Sequence, residues 1–126
     1  MKKNILFLLV AILFSVNSNA QSYSYGTCFV NPNFFKMEGK ILISDSTVLI
    51  STLNKGVEKT NKYSVVKKVN GLIYITDGVM TNSINILPQS GKKKGFEFDN
   101  VIIFYFDKNQ QSGGIENMMY YSKLEN

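Results

Sequence analysis

Apolar side chains come in two rhythms along this chain. From Ile5 to Phe14 (ILFLLVAILF) they run unbroken for ten residues, behind the positive start Met1-Lys2-Lys3. Ser15, Asn17, Ser18 and Asn19 then end the run, well short of the roughly 20 apolar residues that a membrane-spanning helix needs. Length and flanks are those of a secretory signal, and Ser18-Asn19-Ala20 supplies the small residues of an A-x-A-like cleavage site. The expected cut falls between Ala20 and Gln21. It divides the chain into a signal peptide, residues 1–20, and a single small β domain, residues 21–126, with no membrane span once the signal is removed.

After Gln21 the rhythm is short. Turn signals recur at Gly39, Ser44-Asp45-Ser46, Asn54-Lys55-Gly56, Asn70-Gly71, Asp77-Gly78, Pro88 through Gly95, Asp107-Lys108-Asn109 and Gly113-Gly114. Between them lie β-branched and aromatic stretches such as Thr47-Val48-Leu49-Ile50 and Leu72-Ile73-Tyr74-Ile75, too short for helices and suited to strands. Asn70-Gly71 is the sharpest local signal, because a two-residue type I′ hairpin turn needs positive φ at both central positions. Strands are expected near 34–44, 46–53, 60–69, 72–76, 79–87, 96–106 and 115–123. The segment from Gln21 to Phe35 is aromatic without clean alternation, and reads as a lid, a plug strand or a loosely packed arm.

Alternation assigns faces. Tyr63, Val65, Lys67 and Val69 share one side and are expected to face the core. Further on, Phe96, Phe98, Ile102, Phe104 and Phe106 share one parity, and Glu97, Asp99, Val101, Ile103 and Tyr105 the other. The later half of this segment is apolar on both faces, so both need cover from a second sheet, a terminal segment or a partner chain. The fold class that follows is all-β: an antiparallel meander of seven or eight strands, closed into a small barrel or folded into a sandwich, with closure narrowly preferred.

Composition then removes most chemistry. The chain has no histidine and a single cysteine, Cys28, which excludes His-activated nucleophiles, thiolate zinc sites and an internal disulfide. Cys28 lies past the cut among polar residues, without the context for lipid attachment, and reads as a small buried apolar side chain. Asp45, Asp77, Asp99 and Asp107 are scattered singly over turns, not gathered with calcium-loop spacing. Glu97 and Asp99 are two apart on one strand, a spacing that any strand with an acidic outer face produces. No catalytic residue, metal or cofactor is expected.

Charge narrows the partners. All fourteen cations are lysine, and losing Lys2 and Lys3 leaves twelve against nine acids, a net charge of +3. Without arginine there is no bidentate fork for bases or phosphates, so nucleic acid is not an expected partner. Lys92, Lys93 and Lys94 lie between Ser90-Gly91 and Gly95 and read as the tip of a solvated loop, with docking to an anionic surface as the other use. The expected function is that of an exported, periplasmic or extracellular, non-catalytic binding module. A small apolar ligand would sit inside the barrel against Val65, Tyr74, Ile86, Phe98, Ile102 and Phe104. The alternative is an interaction protein that presents an apolar strand face to another exported protein; a hydrolase is a distant third.

Overall fold

In a computed structural model, residues 20–107 and 115–125 are described. The expected signal peptide lies outside the described residues except for Ala20, as do the turn signals at Lys108-Asn109 and Gly113-Gly114. Eight strands follow one another: β1 (Gln21–Val30), β2 (Asn33–Ile43), β3 (Thr47–Asn54), β4 (Val57–Val69), β5 (Leu72–Thr76), β6 (Thr81–Lys93), β7 (Phe96–Tyr105) and β8 (Asn117–Glu125). Each pairs antiparallel with its neighbours in sequence, and β1 pairs with β8, so the meander closes into a barrel. Closure removes the sheet edges that an open meander would expose.

Three of the hairpins turn on two residues that both have positive φ: Lys55 (49°) and Gly56 (77°), Asn70 (52°) and Gly71 (82°), Lys94 (53°) and Gly95 (81°). Positive φ at both positions is the type I′ geometry, whose twist matches that of the flanking strands. The Asn70-Gly71 hairpin is where the sequence placed it. The β1–β2 turn instead contains a cis Asn31–Pro32 bond. At the β5–β6 turn, the Asp77 carboxylate accepts hydrogen bonds from the amides of Val79 and Met80, both at 2.9 Å, and these hold its pKa below the ordinary carboxylate value.

Every strand contributes to one interior cluster, represented in chain order by Tyr25, Ile41, Val48, Val65, Ile75, Ile84, Ile102 and Tyr120. Tyr25, Ile41, Val48, Ile75, Ile84 and Ile102 are each less than 2 % exposed or close to it. An eight-stranded barrel is just wide enough for its own side chains to fill, and here they do so through its middle.

Three bulges shape the outside. One breaks the register of β1 between Tyr25 and Thr27, one that of β4 between Val65 and Lys67, and one that of β6 between Pro88 and Gly91. Each corrects an expectation. The segment from Gln21 is neither a lid nor an arm but the strand that closes the barrel, its alternation broken by the bulge at Gly26. Lys67 does not face the core: the extra residue Val66 flips it outward, where its Nζ lies 5.0 Å from the centre of the Tyr74 ring. Pro88 does not end β6, because it sits at a bulge, where a missing N–H breaks no ladder bond. Lys92 and Lys93 are accordingly strand residues and not a loop tip; only Lys94 turns.

Val101, Ile103 and Tyr121 form a second cluster with Phe98, against which Phe29, Phe34, Phe96, Tyr105 and Met119 pack. Ile102 and Tyr120 are paired neighbours in the interior, whereas Val101 pairs with Tyr121 and Ile103 with Met119. The second cluster therefore lies on the outer face of β7, β8, β1 and β2. The far end of the β6–β7 hairpin folds over it: Thr27 Oγ1 donates to the Lys93 carbonyl at 2.9 Å, and the Phe96 ring sits where a Cβ on Gly26 would be. The doubly apolar strand thus finds its outer cover in its own beginning, since Phe96 and Phe98 of β7 pack back onto Val101 and Tyr121.

Candidate functional site

Inside the barrel one phenol is tied to the backbone of another strand. Tyr25 lies across Gly39, and its hydroxyl donates to the Ser51 carbonyl at 2.7 Å, with Thr52 Oγ1 2.9 Å away. The Tyr120 ring meets the Tyr25 ring edge-on at 4.8 Å between centroids. Burial pushes the Tyr25 hydroxyl up to about 12 and raises Tyr120 above the ordinary tyrosine value. It also lifts the fully buried Cys28 thiol to about 12, so at neutral pH all three stay protonated and the thiol is a poor nucleophile.

Of the six residues expected to line a ligand space, Val65, Ile86, Ile102 and Phe104 do lie in the interior cluster. Tyr74 and Phe98 do not. In β5 the interior takes Ile73 and Ile75, which leaves Tyr74 on the outer face, opposite Lys67 and Ser83. Phe98 pairs with Gly91 just past the β6 bulge and joins the outer cluster, its ring 4.7 Å from that of Tyr121. A Tyr between two isoleucines is apolar enough for either face, so alternation alone does not choose.

Among the described residues, two openings lie on opposite sides of the short strand β5. At the end of the barrel where β1 begins, a cavity of about 490 Å³ is bounded by Ile43, Ile73 and Ile86, by Ala20 and Gln21, and at its rim by Lys68 and Asp45. Lys68 Nζ and Asp45 Oδ1 are 3.5 Å apart and half exposed. Ile86 is thus the residue of the expected set that reaches the mouth cavity. On the outer face a groove of about 640 Å³ runs over β5, β6 and the end of β7, along Tyr74, Ser83, Asn85 and Tyr105. The two tyrosines come together because both pair with Ser83 of β6.

Lys92, Lys93 and Lys94 stay exposed on the folded-over hairpin. Lys93 Nζ lies 5.2 Å from the centre of the Phe34 ring, and Lys123 Nζ 5.9 Å from that of Phe96. These cations border the second cluster and do not converge on a pocket. Among the described residues no three His, Cys, Asp or Glu side chains gather as a metal site would require.

Among the described residues, fold and openings together define a closed eight-stranded meander barrel with a filled middle, a recess at a mouth and a groove on its wall. No protein-family model, curated protein or solved structure matches the chain.

Proposed function

We propose that the protein is an exported, non-catalytic binding module that takes a small apolar ligand at the mouth of its barrel. The observation that carries this reading is the mouth cavity of about 490 Å³, where three isoleucines of the interior face, Ile43, Ile73 and Ile86, meet the polar Gln21, Ser44, Asp45 and Lys68. Burying apolar ligand surface against them stabilises a complex by about 25 cal/mol per Å², and the Lys68–Asp45 pair at the rim suits a ligand with one polar end. Export is supported by the N-terminal apolar run and cleavage signature, and by the position of the strands: all eight lie within 21–125, so a cut after Ala20 leaves the barrel whole. The periplasm or the medium is the compartment this implies. The protein-partner alternative has less support, because Ile103, at the centre of the outer apolar face, is only 7 % exposed beneath its neighbours.

Native mass spectrometry of protein purified from a secreting host tests this directly. The expected result is a chain beginning at Gln21 with a co-purified small-molecule mass that disappears in Ile73→Lys. A bare chain that also fails to take up the apolar dye 1-anilinonaphthalene-8-sulfonate would overturn the reading. A chain still beginning at Met1 would overturn export alone.

A further inference from the structure

The outer groove differs in chemistry from the mouth. Tyr74 of β5, Ser83 of β6 and Tyr105 of β7 form one cross-strand row. With strands about 4.8 Å apart, the two tyrosines stand about 10 Å from each other, and the small Ser83 between them leaves a trough. Asn85 lies two residues along β6 on the same face, and Thr81 two residues the other way, so the floor of the trough is a line of hydroxyls and amides between two aromatic walls. Each of these polar groups both donates and accepts. All five side chains are partly or fully exposed, and none of them makes a hydrogen bond that occupies it within the groove.

We propose that this groove binds a neutral oligosaccharide. A pyranose ring has an apolar C–H face that packs on an aromatic ring and a rim of hydroxyls that donate and accept, which is the pairing of Tyr74 and Tyr105 with Thr81, Ser83 and Asn85. Among the described residues no lysine lines the groove, and its one charged lining residue is Asp107, whose carboxylate opposes an anionic ligand; Lys67 lies over the Tyr74 ring from β4, the strand on the side away from Ser83. A purely apolar ligand would strip water from the hydroxyl and amide floor without replacing its hydrogen bonds. The backbone at one end of the trough is held in advance. The Asp107 amide donates to the Oδ1 of the buried Asn82 at 2.9 Å, and Thr76 Oγ1 donates to the Met80 carbonyl at 2.7 Å at the turn above Thr81. A preformed trough keeps the ordering cost of binding low. Independently of any ligand at the mouth, the wall of the barrel is a second binding surface.

Titration of the secreted protein with cellohexaose, maltohexaose and chitohexaose, followed by ¹H–¹⁵N correlation spectra, tests the site. At least one of the three is expected to shift the amides of Tyr74, Ser83 and Tyr105 while leaving those of Ile43 and Ile73 in place. Tyr105→Ala is expected to weaken that binding about tenfold, and Ser83→Leu, which fills the trough from an outward strand position, to abolish it without loss of the folded spectrum. The proposal is overturned by three titrations without shifts, by shifts confined to the mouth, or by binding that survives both variants.

Discussion

Tyr25 and Gly39 occupy one space: the phenol of the first lies across the second, and a Cβ on Gly39 would collide with both the Tyr25 hydroxyl and the Ser51 carbonyl it reaches. The two residues are paired across β1 and β2, and Gly39 is paired in turn with Thr52 of β3. A single side chain therefore ties three successive strands, and it does so only because the middle one has no side chain there. Gly39→Ala is expected to destabilise the protein by about 3 kcal/mol, and Tyr25→Phe, which removes the buried hydrogen bond alone, by about 1.5 kcal/mol. Urea unfolding followed by circular dichroism measures both; a Gly39→Ala protein as stable as the parent would refute the arrangement.

Alkaline pH attacks the same place. Tyr25 and Cys28 have folded pKa values of about 12, above the 10.0 and 9.0 of the free groups. A raised pKa means that the folded state holds its proton longer than the unfolded state does. The stability that these groups contribute is therefore complete below about pH 9 and is lost as pH rises towards 12. The Tm is expected to stay level through neutral pH and to fall steeply above pH 10, and the double variant Tyr25→Phe, Cys28→Ala to fall less steeply over that interval.

Cys28, fully buried in the interior cluster, should be silent to thiol reagents while the barrel is closed. Ellman's reagent is expected to label it at the rate of unfolding in native buffer and at once in denaturant. Rapid labelling of the native protein would mean that the β1–β8 seam opens on its own.

The folded-over hairpin makes a further prediction. Phe96→Ala removes the ring that rests on Gly26 and packs on the outer cluster, at an expected cost of about 2 kcal/mol for a half-buried aromatic side chain. Hydrogen exchange should then quicken at Lys92 and Lys93, whose hairpin is released, and remain slow at Ile84 in the barrel wall. Equal quickening at all three positions would show that the hairpin and the barrel unfold as one.

Lys55 and Lys94 both hold a left-handed conformation, with φ near 50°, that lysine adopts at a cost and asparagine tolerates well. Lys94→Asn is expected to raise stability by about 0.5 kcal/mol, read as a higher midpoint in urea. A lower midpoint would show that the lysine side chain contributes more than its backbone costs.

Much of this fold was legible in the pattern of residues, and the failures share a cause. Asn70-Gly71 gave its hairpin, the β-branched stretches gave their strands, and the count of seven or eight with closure preferred matches the ring of eight. The misreadings of Gln21 to Phe35, Lys67 and the segment after Pro88 all fall at bulges. A bulge inserts one residue and reverses every face beyond it, so alternation carried through Gly26, Val66 or Pro88 assigns the wrong side. Phe98 lies in β7, which carries no extra residue at that point, and it reaches the outer cluster because the far end of the β6–β7 hairpin folds over that face. Tyr74 was misplaced otherwise, because both faces of β5 are apolar and only the inward turn of Ile75 decides between them. The groove escaped notice since its two tyrosines are thirty-one residues apart, and what brings them together is the register of β6 against both neighbours.

The seam between β1 and β8 sets the timing of folding. It joins Ser22 to Glu125, where the serine hydroxyl donates to the carboxylate across 103 positions of sequence, and Lys40 reaches the same carboxylate from β2 at 3.4 Å. Seven pairings join consecutive strands and can form locally, but the eighth, which shuts the ring, has to bring distant segments together, and that is slow. Until then both rims of the sheet stand open. In a ring built this way the closing pair joins the two ends of the strand series, so detaching either β1 or β8 leaves an open sheet with two unpaired edges.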